Sequence, residues 1–293
     1  MDIYKYVTVD TWFRVVQSGT IRATQPGALN DILECRPAIR SIADTERIKE
    51  LAPSEQAIDE MIESQLDKIL AELPPEVVSL FPGGRSFLRD LVRKQELTST
   101  TRDLTIYIAE LLGPMVGPLF HQQLDEKLGV LSFAETGTSA SMWDRYSDGG
   151  RGVVMCLDRE DEFFNPEPGF PNSPKNLKPV KYIPERDSKY MLDLDHVETF
   201  FTKTDDWAGE REVRMVRQLR ECQDTGVTDA AGNRVFVVDL PPSALRAVAF
   251  GQRCPDSQRE KIREALSQSQ YGHAALMEAY LDSHSSSIRL RSC

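Results

Sequence analysis

The feature that most constrains this chain is a series of short apolar runs after residue 128: "GVLSFAE", "RGVVMCLD", "KPVKYI", "REVRMVRQL", "NRVFVVDL" and "LRAVAFG". Each is strand-length and rich in β-branched or aromatic residues. Their brevity and the loops between them predict an α+β fold of short, mostly antiparallel strands, against repeated βαβ units. Neither a GxGxxG element nor a phosphate-binding P-loop accompanies them.

Two further zones precede these strands. In residues 1–35, "IYKYVTV" predicts a strand and "TIRAT" another. Between them "DTWFRVVQSG" spaces Trp12, Val15 and Val16 as one helical face, with Asp10 as N-cap and Gly19 at the stop. "QPGALND" reads as a turn. Residues 36–128 read as helical. In "SEQAIDEMIESQLDKILAEL" the apolar residues Ile58, Met61, Ile62, Leu66, Ile69, Leu70 and Leu73 share one face, which predicts a packed side and a solvated side before Pro74–Pro75. "RSFLRDLVRKQEL" and "RDLTIYIAELLGPMVGPLFHQQLDEKL" continue in that style, the second interrupted at Gly113–Pro114 and Gly117–Pro118. The expected organisation is a single α+β domain, 1–293, carrying a helical insertion at 36–128. A last helix is expected in "DSQREKIREAL", where Ser257 and Glu260 have capping-box spacing.

Composition narrows the partners. The 293 residues carry a formal net charge of −11, so non-specific attraction to phosphate backbones or anionic lipid is not expected. The N-terminus lacks a basic segment followed by an apolar core, and no apolar run reaches membrane-spanning length, so a cytoplasmic protein without a membrane partner is expected. Cys35, Cys156, Cys222, Cys254 and Cys293 lie far apart, which fits reduced thiols. His121, His196, His273 and His284 show no ligand spacing, so no metal is expected.

Two stretches carry candidate chemistry. In "WAGEREVRMVRQL", strand alternation sends Val213 and Met215 to a core and puts Glu210, Glu212 and Arg214 on the opposite face. Taken alone, this reads as a solvated face with a neighbouring Glu212–Arg214 pair. The alternative is a carboxylate pair that stabilises a sugar cation and handles the attacking group. In "ASMWDRYSDGGRGVVMCLD", Trp143 and Tyr146 stand one helical turn apart. Asp148 follows, with three glycines in the next four residues, before a strand begins. Such glycines permit left-handed backbone or close approach to a ligand, so the aromatics are expected to wall a pocket.

Several pieces occur in a characteristic order: "YKY"; Asn30, Asp31 and Glu34 in "LNDILE"; Ser132–Phe133; "MWDRYSDGGRG"; Val180 and Tyr182; and Lys203, Trp207, Glu210, Glu212 and Arg214. This set resembles a large bacterial family of unknown function marked by MWxxYxDxxxG and WxxExExR. The family usually has Pro-Phe after Asn-Asp, where this chain has Ile-Leu. The layout more loosely resembles the ADP-ribosyltransferase superfamily, which implies a split sheet and NAD as substrate. On that resemblance Glu212 would stabilise the cationic transition state as nicotinamide leaves, and Glu210 would orient or activate the acceptor. Tyr146 or Trp143 would wall the nicotinamide, Ser132 would contact its ribose or amide, and Lys5 or Arg22 would neutralise the diphosphate. Asn30, with Asp31 and Glu34, would touch ligand or simply hold a turn and cap a helix. The backbone around Asp148 and Gly152 would shape the pocket.

The resulting expectation is an NAD-dependent ADP-ribosyltransferase or NAD glycohydrolase, acting as a toxin or anti-phage effector on a protein or nucleic-acid acceptor and restrained by a regulatory partner. One alternative keeps the carboxylates but cleaves another nucleoside or glycosidic substrate. The other is a nucleotide-binding sensor module without turnover.

Overall fold

Strand β1, Asp2–Val7, opens the chain and alternates as expected: Ile3 and Val7 enter the main core, while Tyr6 lies in a second cluster. The computed structural model describes residues 2–31, 33–72, 86, 97–186, 188–195 and 197–293. Helix α1, Val9–Ser18, buries Trp12, Val15 and Val16. Its N-cap is Thr8, not Asp10: Thr8 is extended and its side chain accepts from the Thr11 N–H, leaving Asp10 in the first turn beside the helix's positive end. Gly19 closes the helix at φ 72°, a left-handed geometry that glycine adopts without steric cost.

The remaining elements follow in order. They are β2 (Thr20–Ala23), β3 (Ile39–Ser41), α2 (Thr45–Leu51), α3 (Glu55–Glu72), α4 (Leu97–Lys127), β4 (Leu128–Ala134), α5 (Ala140–Tyr146) and β5 (Val153–Asp158). Then come β6 (Lys178–Pro179), β7 (Lys181–Ile183), β8 (Lys189–Tyr190), β9 (Thr202–Thr204), β10 (Glu212–Gln218), β11 (Gln223–Thr228) and β12 (Arg234–Asp239). The chain ends with β13 (Leu245–Phe250), α6 (Asp256–Ser267), β14 (Ala275–Asp282) and β15 (Ser287–Ser292).

The fold is α+β, with mostly antiparallel strands. It divides into two compact units: Met1–Pro37, Phe120–Asp187 and Asp195–Cys293 form one, and Ala38–Leu119 with Ser188–Leu194 the other. In the first unit an eight-stranded sheet runs β15-β14-β13-β5-β1-β4-β10-β6, all antiparallel except β13–β14. A three-stranded sheet, β11-β12-β2, and a parallel β7–β9 pair accompany it. The core gathers Ile3, Leu131, Phe133, Met155, Val213 and Met215, the inward sets of β1, β4, β5 and β10. Burial of such side chains contributes about 1.5–3 kcal/mol each, the largest favourable term available to the sheet.

The second unit contains α2, α3, the parallel β3–β8 pair and the helical stretch of α4 up to Leu119. Helix α4 continues through Pro114 and Pro118, where the sequence suggested interruptions; each proline forfeits its own N–H while the flanking ladder persists. The expected amphipathic packing of this block is not what the described side chains show: Met61, Leu104, Ile108, Leu111, Met115 and Leu119 are exposed, while Ile58 is buried. The side chains of Ile62, Leu66, Ile69 and Leu70, together with Leu73, Pro74–Pro75, most of 85–97 and His196, lie outside the described residues. Helix α6 begins after Pro255 with no side-chain cap, so Ser257 is not its N-cap; Asp256 supplies the favourable first-turn charge instead. No helix among the described residues is long and apolar enough to cross a membrane.

Candidate functional site

The site grows from a split in the large sheet. β1 pairs with β5 along its whole length, Asp2↔Asp158 to Val7↔Val153, but meets β4 at the single position Tyr4↔Ala134. β4 is instead fully laddered to β10, from Gln218↔Leu128 to Glu212↔Ala134. The two strands therefore part beyond Tyr4, and a cavity of about 240 Å³ opens along that seam. Lys5 spans the gap, its ammonium donating to the Ser132 carbonyl at 3.0 Å.

β10 supplies the charged wall. Val213 and Met215 enter the core as alternation requires, and Glu212 and Arg214 share the opposite face. That face is not solvated: Glu212 is 6% exposed and Arg214 not at all. Arg214 grips Glu212 through Nε–Oε1 at 2.5 Å and Nη2–Oε2 at 2.7 Å, the planar fork geometry that suits a carboxylate. The guanidinium also ion-pairs with Glu34 and donates to the Phe200 carbonyl at 3.1 Å. Glu210 arrives differently from the expectation. It ends a 3-10 turn, Asp205–Glu210, and Arg211 follows in left-handed backbone at φ 46° before the strand begins. The turn, rather than strand alternation, brings its carboxylate to the same wall.

Lys203 of β9 joins the three glutamates. Its Nζ lies 2.7 Å from Glu210 Oε2, 3.3 Å from Glu212 Oε2 and 3.5 Å from Glu34 Oε1. The ring of Trp207 receives both this ammonium, 4.4 Å from its centroid, and the Arg145 guanidinium, at 4.7 Å. Burial pulls the Lys203 ammonium down, and the Glu212 and Glu210 carboxylates more than reverse this, so it stays protonated above its ordinary range. Burial pushes the Glu212 carboxyl up, with Lys203 opposing. Tyr146 donates its phenol to Glu210 Oε1 at 2.8 Å and also hydrogen-bonds Asn30; burial, then the Glu210 charge, raises its proton affinity. The Tyr182 hydroxyl accepts from the Glu212 N–H at 2.8 Å, tying β7 to the start of β10.

Lys5, Arg22, Asn30, Ser132 and Tyr146 thus line the same cavity as Glu210 and Glu212. Three other candidates do not line it. Trp143 is 3% exposed, donates its indole N–H to the Gly137 carbonyl and packs edge-on against Tyr6 at 5.3 Å. One side of it borders a separate cavity of about 160 Å³ with Asp144, Gly149 and Arg253. Asp148 is exposed in a left-handed turn, 3.6 Å from Arg151. Gly152 lies where an added Cβ would stand 2.2 Å from the Val7 carbonyl oxygen, so its small size serves backbone packing against β1. Asp31 and Glu34 are buried, and Glu34 belongs to the charged network.

Residues 142–215 match the model of a family described as a protein of unknown function (DUF2971). Over this stretch the chain is similar to that family. The matched stretch contains Tyr146, Tyr182, Lys203, Trp207, Glu210, Glu212 and Arg214, the charged wall apart from Glu34. No curated protein and no solved structure matches the chain.

Lys203 and Trp207 stood in the quoted motif without an assigned role, and Arg214 was expected only as a solvated neighbour of Glu212; the pair forms, but buried. The signal was their spacing: the lysine lies on β9, seven residues before Glu210 and nine before Glu212, and the arginine lies two residues beyond Glu212 on one strand face.

Proposed function

We propose that the cavity holds the ribosyl end of NAD or a related nucleotide and promotes transfer of the ribosyl group to water or to another acceptor. The observation that carries this reading is the pair Glu210 and Glu212, both buried in the cavity wall and joined by one ammonium, Lys203. Two carboxylates held that way are matched to a positive charge that develops on a sugar ring. As the glycosidic C–N bond breaks, its electron pair leaves with nicotinamide, and the ribosyl carbon becomes cationic. Glu212 faces that charge, and Glu210 takes the proton of the attacking hydroxyl on Oε2, the oxygen that Lys203 also meets, while Tyr146 holds Glu210 Oε1. Ser132 and Asn30 offer hydrogen bonds to sugar hydroxyls, and Arg22 offers charge for a phosphate. Hydrolysis in this scheme yields nicotinamide, ADP-ribose and one proton.

One observation favours a second reading, a nucleotide-binding module without turnover. Both oxygens of Glu212 already accept, from Arg214 and Lys203, so a ribose hydroxyl adds to or competes with bonds that hold the carboxylate in place. Nicotinamide release and NAD affinity, measured for the wild type and Glu212→Gln with melting temperatures alongside, separate the two. Catalysis predicts release by the wild type and a loss of about 100-fold or more in Glu212→Gln at nearly unchanged affinity. Binding without release by either protein would support the module; neither binding nor release would overturn both readings.

A further inference from the structure

Lys5 is set apart from the other cations of the cavity wall. Lys203 has three glutamates within 3.5 Å, and Arg22 has Asp229 at 2.7 Å. Among the described residues no carboxylate lies within 4.0 Å of Lys5 Nζ. An ammonium has three donors, and the protein acceptor that meets this one is the Ser132 carbonyl. Beneath it lies the face of Phe133, 5.1 Å from Nζ. The amine is therefore desolvated above an apolar ring, and its residue lines the cavity of about 240 Å³. A lysine placed to hold the split strands together needs only the Ser132 contact; lining the cavity is additional to that role.

We propose that Lys5 is a nucleophilic amine that captures a small polyhydroxylated aldehyde, an aldose in its open-chain form, as an imine within this cavity. The neutral amine's lone pair adds to the carbonyl carbon and gives a carbinolamine. The two nitrogen-borne protons then leave with the carbonyl oxygen as water, and a C=N bond remains; nothing is oxidised or reduced. Asn30 and Tyr146 line the same space and offer partners for the aldose hydroxyls. Burial lowers the Lys5 amine to about 8, so at neutral pH it supplies about two orders of magnitude more free amine than an exposed lysine. The inference does not rest on NAD chemistry, and its test contains no nucleotide.

The test is reductive trapping of the folded, full-length protein with erythrose and sodium cyanoborohydride at pH 7. The hydride reduces the imine to a stable secondary amine, and peptide mass mapping locates it. Lys181, whose side chain is 66% exposed, is the internal reference. The expected result is labelling of Lys5 at least about 10-fold faster than Lys181, with that excess lost after unfolding in urea. Lys5→Arg, which keeps the charge, should show only the slow surface labelling. Absence of label at Lys5, or labelling of Lys5 and Lys181 at equal rates in the folded wild type, would overturn the proposal without bearing on nicotinamide release.

Discussion

At the scale of single residues, burial works against charge at Lys5, and this has a sign that stability measurements read. Its amine is lowered from 10.5 to about 8, chiefly by desolvation, with Glu212 pulling the other way. Between those two values the unfolded chain holds a proton that the folded chain has released, so stability gains a contribution that rises with pH across that window. Below about 8 both states are protonated and the slope vanishes. Lys5→Met removes the titration, so the difference in unfolding free energy between wild type and variant is expected to drift in favour of the wild type from pH 8 to pH 10. Denaturant melts at closely spaced pH values check it; a flat difference would show that the amine is solvated in the folded protein. The sequence offered this residue as a strand lysine and, through the resemblance, as a charge for a diphosphate, not as an amine without a carboxylate partner among the described residues. Its isolation from carboxylates depends on which glutamates Lys203 and Arg214 capture, and those lie on other segments.

At the scale of elements, β4, β5, β10 and β13 were legible as strand-length apolar runs; they are buried on both faces, and the pleat sorts their side chains between two clusters, Val153, Met155 and Leu157 of β5 to the main core and Val154 to the second. The cap of α1 was missed by two residues because Thr8 and Asp10 are both competent caps and the local geometry selects the first. The turn from α5 into β5 was read as ligand-facing, yet its glycines answer mainly to the backbone. Asp148, Gly149 and Gly150 take left-handed φ values of 50°, 61° and 81° in succession, and the Gly152 N–H returns to the Ser147 carbonyl at 2.8 Å. Gly152 then passes directly against β1. Gly152→Ala is therefore expected to destabilise the protein by about 1–3 kcal/mol through the clash with the Val7 carbonyl, seen as a lower denaturant midpoint. Gly209→Ala, where no atom lies within 4 Å of an added Cβ, should cost under about 1 kcal/mol. Equal effects at the two positions would remove the packing account of the motif's last glycine.

At the scale of the whole molecule, the charged wall is assembled from distant parts of one unit: Glu34 from its first segment, and Lys203, Glu210, Glu212 and Arg214 from its last. No local pattern announces such a meeting, which is why the sequence yielded the glutamates and the neighbouring Arg214 but neither Lys203 as their shared cation nor the burial of the group. The arrangement also fixes what its removal does. Arg214 is fully buried, so Arg214→Met leaves Glu212 and Glu34 in a low-dielectric site with Lys203 as their remaining cation. Removing one partner of a buried pair costs about 3–5 kcal/mol, far above the worth of an exposed pair. The pH dependence distinguishes this from lost packing. Unpaired buried carboxyls bind protons more tightly folded than unfolded, so stability falls as pH rises from the ordinary carboxylate range, and the variant's deficit shrinks as pH is lowered toward 5. Adding Glu212→Gln to Arg214→Met should restore part of the loss at pH 7 and flatten that dependence, because it deletes one of the stranded charges. A deficit that is the same at pH 5 and pH 7, and is unrelieved in the double variant, would mean that Arg214 acts through its bulk and its bond to the Phe200 carbonyl rather than through its charge.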